Sequence, residues 1–224
     1  TQEQFDSRLA RIRLANGLRD FADVPIIIEA IYENIDSKGA LYRALEPHVS
    51  PKTIISTNTS SISVNELSKF IEIRSRFIGL HFFNPAEVMR LVELKRADQT
   101  SDETIASAKS FVERLGKTPI ITPDLPGLFV NRVLFPMLLE AISVLETTKC
   151  KKEDIDIAMK LGANLLMGPL ELCDFIGNDI VLSISNVLRE HTGDLRFKPP
   201  RLLEQMVMEG KLGRKTNVGF YEYK

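Results

Sequence analysis

The spacing of apolar positions along this chain changes once, near residue 125, and the elements it predicts change with it. Phe5, Leu9, Ile12 and Phe21 recur at roughly helical spacing with Arg8, Arg11 and Arg19 between them. That pattern predicts one amphipathic helix, or two short ones divided at Asn16-Gly17. Residues 24–31 are almost continuously apolar, as in a strand covered on both faces, so a parallel sheet is expected. Pro25 falls near the start of that run, where a strand tolerates it. A helix is expected over 34–49, ended by Ser50-Pro51, and then a strand over 52–58 that finishes on Ser56, Thr57 and Asn58. Thr59-Ser60-Ser61 leads into a short helix through Leu67. Residues 76–80 and 90–95 read as two more strands on either side of a turn at Pro85. Thr100 and Glu103, spaced as a capping box, open a helix that runs to Leu115 and stops at Gly116. Residues 118–122 make a last strand, and the alternation of strand and helix indicates an α/β layer architecture.

Pro123-Asp124-Leu125-Pro126-Gly127 marks a domain boundary. No strand is predicted beyond it. Phe129, Val133, Met137 and Ile142 are expected to line one face of a long helix that Pro136 kinks. Shorter helices follow at about 153–161, 170–191 and 200–208, with Gly162, Gly168-Pro169 and Gly193 as punctuation. The chain is therefore read as an α/β domain over residues 1–123 and an all-helical domain over residues 127–224. It has no internal repeat and no low-complexity segment.

Composition removes several function classes. The 29 basic and 30 acidic residues leave a net charge of −1 with no run of one sign, so nucleic acid and anionic membrane are not expected as partners. No apolar run approaches the roughly 18 residues that span a bilayer. Cys150 and Cys173 fit no metal-ligand or redox spacing and are read as small core residues of a protein from a reducing compartment. The chain opens at Thr1 in what reads as mid-helix, which leaves a targeting signal open.

The chemistry centres on one of only three histidines. His81 falls between a strand-like run and the Pro85 turn, and Glu93 lies among apolar residues of the next strand. Adjacent strands would bring the carboxylate beside the imidazole and fix its tautomer, as a general acid/base near neutral pH requires. The same pattern also fits a strand-end histidine satisfied by a backbone carbonyl, with Glu93 facing water. Ser60 and Ser61 follow the C-terminal end of a strand, where open α/β sheets bind ligands, yet either also suits a helix cap. Asn131, in the first turn of the long helix, is placed for a ligand at the domain junction or for a local backbone hydrogen bond.

Several segments occur together in one order: Ile28-Glu29-Ala30-Ile31 with Glu33-Asn34, Ser56-Thr57-Asn58-Thr59-Ser60-Ser61, Gly79-Leu80-His81-Phe82-Phe83-Asn84-Pro85, and Pro126-Gly127 with Val130-Asn131-Arg132. Met159-Lys160-Leu161-Gly162, Met167-Gly168-Pro169 and the ending Leu212-Gly213-Arg214-Lys215-Thr216 to Gly219-Phe220-Tyr221 complete the set. Over residues 24–224 this resembles the L-3-hydroxyacyl-CoA dehydrogenase family. Asp174-Phe175-Ile176-Gly177, Thr192-Gly193-Asp194 and the ending are most similar to the bacterial 3-hydroxybutyryl-CoA dehydrogenases.

The resemblance implies an incomplete Rossmann-like parallel sheet domain for NAD, then an all-α C-terminal domain for substrate and dimerisation. It implies NAD-dependent oxidation of the 3-hydroxyl of an (S)-3-hydroxyacyl-CoA, short-chain 3-hydroxybutyryl-CoA being expected, and the reverse. His81 would be the general base, Glu93 its orienting partner, and Ser60 and Asn131 donors to the substrate oxygen. Glu33, Lys38, Ser60, Asn84 and Lys215 match cofactor-contacting positions, with no metal. NADP in place of NAD, and a mitochondrial matrix in place of a bacterial cytoplasm, stay open. So do a relative acting on a sugar acid or other hydroxy acid, and an inactive structural or binding relative.

One departure affects the cofactor site. No G-x-G-x-x-G occurs in the 224 residues. The family's first strand, Gly-rich phosphate loop and following helix are expected to precede Thr1, together with the acidic residue that binds the adenosine ribose and most of the helical insertion that contacts CoA. As written, the 224-residue polypeptide is expected to bind NAD poorly, because the pyrophosphate lacks its backbone amides.

Overall fold

Short runs of β-branched and aromatic residues make the sheet, because such side chains are stiff at χ1 and pack well on a pleated surface. A computed structural model describes residues 1–224, which divide into two compact units, Thr1–Leu125 and Pro126–Lys224.

In the first unit the strands are β1 (Ile26–Glu29), β2 (Ile54–Thr57), β3 (Phe77–Phe82), β4 (Leu91–Lys95) and β5 (Thr118–Thr122), in the spatial order β1-β2-β3-β4-β5. Parallel pairs join β1 to β2, β2 to β3 and β4 to β5, whereas β3 and β4 run antiparallel. The sheet is thus parallel-dominant, as a Rossmann-like domain requires, with one antiparallel pair. The link over residues 83–90 is too short for the crossover that a parallel neighbour demands. Alternate residues serve opposite faces. Ile55 and Phe77 join Tyr42, Leu45, Val64 and Leu67 from α2 (Ile35–Leu45) and α3 (Val64–Ser68). Ile54, Ile78, Leu80, Val92 and Leu94 join Ile105, Ala108 and Val112 from α4 (Asp102–Arg114).

Three local expectations for this unit are corrected, and the N-terminal segment takes the divided alternative: α1 spans Gln2–Leu9, and Phe21 belongs to a separate 3-10 turn, Leu18–Phe21, that begins after Gly17. The helix buries none of its residues; Phe5, Leu9 and Ile12 are exposed, so no packed face extends it. β1 is not apolar on two covered faces: Ile28 is exposed and Glu29 buried, since β1 ends the strand order and the carboxylate finds partners inside. Ser63, not Ser60 or Ser61, caps α3 by accepting from the Glu66 N–H at 3.2 Å. Ser101 caps α4 in place of Thr100, whose hydroxyl donates to the Phe77 carbonyl at 2.7 Å and accepts from the Ala97 N–H.

The second unit is helical: α5 (Val130–Thr148), α6 (Lys152–Gly162), α7 (Pro169–Ile176), α8 (Asn178–Thr192) and α9 (Arg201–Met208). Phe135, Leu138, Leu139 and Ile142 form the buried stripe of α5, at i, i+3, i+4 and i+7. The expected face was wrong in its first turn, for Phe129 and Val133 are exposed. The helix expected over 170–191 is two, broken at Gly177, whose φ of 104° an L side chain rarely adopts. Cys173 is a core residue, whereas Cys150 is only partly buried. Buried Asp174 organises the C-terminal turn, accepting from the N–H groups of Phe220 and Tyr221, both at 2.8 Å, and from the Tyr223 hydroxyl at 3.0 Å. No helix is long and apolar enough to cross a membrane.

Candidate active site

Antiparallel pairing sets His81 directly opposite Glu93 in the β3–β4 register. Residues so paired share a face of the sheet, so their side chains meet. His81 Nδ1 lies 3.1 Å from Glu93 Oε2, with Glu93 fully buried and His81 8% exposed. His81 lies inside β3, one residue beyond the strand end that the sequence pattern suggested. An ionised carboxylate only accepts hydrogen bonds, so this contact selects the Nδ1–H tautomer and leaves the Nε2 lone pair free to take a proton. Phe83 meets the imidazole edge-on at 4.7 Å between ring centroids, which limits how the ring turns. Just beyond His81, the Phe82 N–H donates to Asn58 Oδ1 at 2.9 Å and ties the end of β3 to the end of β2.

Ser60 lies in the loop from β2 to α3 and is partly buried. Glu33 grips that loop on both sides of Ser60. Its Oε1 accepts from the Thr59 hydroxyl, from the Ser61 N–H at 3.2 Å and from the Ser61 hydroxyl at 2.9 Å. Burial pushes the Glu33 carboxyl up, but the Thr59 hydroxyl, the Lys38 charge and Ser61 outweigh it and hold the group below its ordinary value. Lys38 is itself buried. Its ammonium donates to Glu29 at 2.7 Å and to the Ile31 carbonyl at 3.3 Å, and pairs with Glu33 at 3.3 Å. All three of its donors therefore have acceptors within the protein. Asn84 is exposed in the segment after β3.

Asn131 and Lys215 belong to the second unit. Asn131 is partly buried in the first turn of α5. Lys215 projects from the 3-10 turn Arg214–Thr216 and pairs with Asp179 in the first turn of α8.

Sequence reasoning missed three groups that support this arrangement. Glu29 is buried and held by Lys38, by the Tyr42 hydroxyl at 2.5 Å and by the Thr57 hydroxyl at 2.8 Å. A lone carboxylate at the end of an isoleucine run was the available signal. Asp124, read only as part of a linker, accepts from the Ser63 hydroxyl at 2.5 Å and the Asn65 N–H at 2.8 Å. It also pairs with buried Lys95 at 3.1 Å. Burial pushes Asp124 up, while Ser63, the Asn65 N–H and Lys95 bring it below its ordinary value. Asn58 looked like one more polar strand-end residue.

Residues 1–125 match the family model described as "3-hydroxyacyl-CoA dehydrogenase, NAD binding domain", and residues 127–223 match "3-hydroxyacyl-CoA dehydrogenase, C-terminal domain". The chain belongs to the 3-hydroxyacyl-CoA dehydrogenase family. It is 46% identical over 215 residues to a probable 3-hydroxybutyryl-CoA dehydrogenase of Deinococcus radiodurans, covering 96% of this chain and 77% of that one. A 3-hydroxybutyryl-CoA dehydrogenase of Bradyrhizobium diazoefficiens is 44% identical, covering 100% of this chain and 76% of the relative. The crystal structure of (S)-3-hydroxybutyryl-CoA dehydrogenase PaaH1 from Ralstonia eutropha superposes with a TM-score of 0.92 at 43% identity, covering 100% of this chain and 79% of that one. Membership of the 3-hydroxyacyl-CoA dehydrogenase family agrees with the two-unit α/β and α architecture described above.

Proposed function

We propose that this chain oxidises the 3-hydroxyl of an (S)-3-hydroxyacyl-CoA to the 3-ketoacyl-CoA with NAD, and catalyses the reverse, with 3-hydroxybutyryl-CoA as the short-chain substrate. The observation that carries this reading is the in-register pair of His81 and Glu93, 3.1 Å apart, with Glu93 buried. The donor set fits a dinucleotide at the C-terminal ends of the parallel strands β1 and β2, the usual ligand edge of an open α/β sheet. Glu33 there presents a carboxylate held ionised by its neighbours, suited to accept from hydroxyl groups.

His81 Nε2 takes the proton of the 3-hydroxyl as the C3–O bond becomes a carbonyl, while Glu93 holds the ring and stabilises the imidazolium that forms. The chemistry that NAD would supply when bound is a hydride acceptor for C3. Ser60 donates a hydrogen bond to the oxygen on which negative charge develops. Glu33 and Asn84 face the cofactor, and Lys38 acts from behind through Glu33. The C-terminal helices form a homodimer, and the protein works in the cytoplasm of a bacterium.

The test is the protein purified from its own source, assayed by NADH absorbance with acetoacetyl-CoA. The His81→Asn variant is expected to keep its fold and NAD binding while kcat falls by about 10²–10⁴-fold, the usual contribution of a general base. A variant with near-normal kcat removes His81 from the mechanism. A higher kcat/KM for a free hydroxy acid than for acetoacetyl-CoA in the matching direction removes the acyl-CoA assignment.

A further inference from the structure

We propose that Glu33 is a positioning residue: it aims Ser60 at the substrate oxygen by holding the residue on either side of it. The proposal rests on the role given to Ser60 above.

The loop over residues 58–63 is anchored nearly everywhere except at Ser60. Asn58 accepts from the Phe82 N–H at 2.9 Å, which fixes the start of the loop against the strand that carries His81. Thr59 donates to Glu33 and accepts from the Ile62 N–H at 2.9 Å. Ser61 donates twice to Glu33, from its backbone and its hydroxyl. The Ile62 carbonyl accepts from Lys95 at 3.0 Å, and the Ser63 hydroxyl donates to Asp124. Ser60 contributes no hydrogen bond to this mesh, so its hydroxyl is the one left available to a ligand.

A single carboxylate oxygen, Glu33 Oε1, thus clamps both peptide neighbours of that serine. The clamp is itself braced. Glu33 Oε2 faces Lys38, and Lys38 is fixed by Glu29, which Tyr42 and Thr57 also hold. Oε1 already takes three donors and Oε2 faces an ammonium, so most of the carboxylate's roughly four acceptor sites are used inside the protein. A contact with cofactor is compatible with this geometry, yet most of what Glu33 touches is the Ser60 loop. Misplacing a reacting or aligning group by about 1 Å costs on the order of 10²-fold in rate. Freeing both neighbours of Ser60 permits a shift of that size.

The experiment is a double-mutant cycle on the protein from its own source: parent, Ser60→Ala, Glu33→Ala and the double variant. Each is assayed for kcat and for the KM of NADH with acetoacetyl-CoA. In the parent background Glu33→Ala is expected to lower kcat at saturating NADH about ten- to hundredfold, beside any rise in the KM of NADH from its cofactor-facing position. In the Ser60→Ala background the same substitution is expected to leave kcat almost unchanged, because there is no hydroxyl left to aim. Should Glu33→Ala fail to fold, Glu33→Gln is taken through the same cycle, since it keeps an acceptor but weakens the bracing by Lys38. A full Glu33 effect on kcat persisting without Ser60, or an effect confined to the KM of NADH with kcat near normal, overturns the proposal and leaves Ser60's own role standing. A near-normal kcat for Ser60→Ala overturns both, which distinguishes the two failures.

Discussion

Replacing Glu93 by Gln probes the contact on which the proposed chemistry depends. The substitution keeps shape and volume and removes one charge from a fully buried position opposite His81. Glu93 Oε2 lies 3.1 Å from Nδ1, and a carboxylate there accepts and cannot donate, which selects the ring tautomer with its proton on Nδ1. A glutamine amide turned with its N–H toward Nδ1 selects the opposite tautomer, with the proton on Nε2, and the ring then has no lone pair for the hydroxyl. If the amide turns the other way, the tautomer survives but the imidazolium formed during turnover loses the negative charge facing it.

The magnitude follows from the type of bond. A hydrogen bond to a charged group contributes about 1.5–3 kcal/mol. At about 1.36 kcal/mol per tenfold, losing it lowers kcat about ten- to 150-fold. Tautomer reversal adds to that, and the corresponding Asp-to-Asn change in serine proteases, about 10⁴-fold, sets the ceiling. The assay is acetoacetyl-CoA-dependent loss of NADH absorbance, with circular dichroism to confirm the fold. The KM of NADH is expected to stay within about twofold, since the charge acts on the base. A kcat within about threefold of the parent, with the fold intact, would refute the reasoning.

Acidification should destabilise the first unit through Glu33 and Asp124. Both have folded-state pKa values below their ordinary ones, so the stability they contribute is present above about pH 4.5 and 3.8 and is lost as pH falls through the lower folded values. The urea midpoint should hold from neutral pH to about 5 and then drop; a Glu33→Gln, Asp124→Asn double variant with the same acid profile would contradict this. Sedimentation velocity is expected to give twice the 25.3 kDa of one chain, with Val133, Leu161, Leu166 and Met208 among the exposed apolar residues available for contact. A monomer at micromolar concentration rules out the dimer.

The strands were readable because local composition decides them. Thr118 to Thr122 form β5 over the residues expected, and the isoleucine runs at 26 and 54 fall within β1 and β2. The boundary near 125 was equally plain, since the change of hydrophobic period and the paired prolines mark the same place. Choices that tertiary partners make were not readable. Thr100 and Ser101 are equally good caps on paper, and the Phe77 carbonyl decides between them by engaging Thr100. On α5 the pattern of Phe129, Val133, Met137 and Ile142 is as helical as that of Phe135, Leu138, Leu139 and Ile142. Only packing against α7, α8 and α9 selects the second set. Gly177 shows the reverse, a one-residue break whose cause, a positive φ, no apolar count registers.

The site divides along the same line. His81 and Glu93 could be paired on paper because a histidine near a turn and a carboxylate in the next strand leave few registers, and an antiparallel link over 83–90 permits this one. The clamp on Ser60 has no comparable signature. Glu33 and the loop it holds are separated by an entire helix and strand, and they meet only because β1 and β2 are parallel neighbours in the sheet. Parallel pairing places the segments after both strands at one edge, so a carboxylate following β1 reaches hydroxyls following β2. The proposed base and its partner are therefore fixed by a local strand pair, whereas the proposed aim of the serine is fixed by long-range topology. For that reason a substitution at residue 33 is expected to act through residue 60.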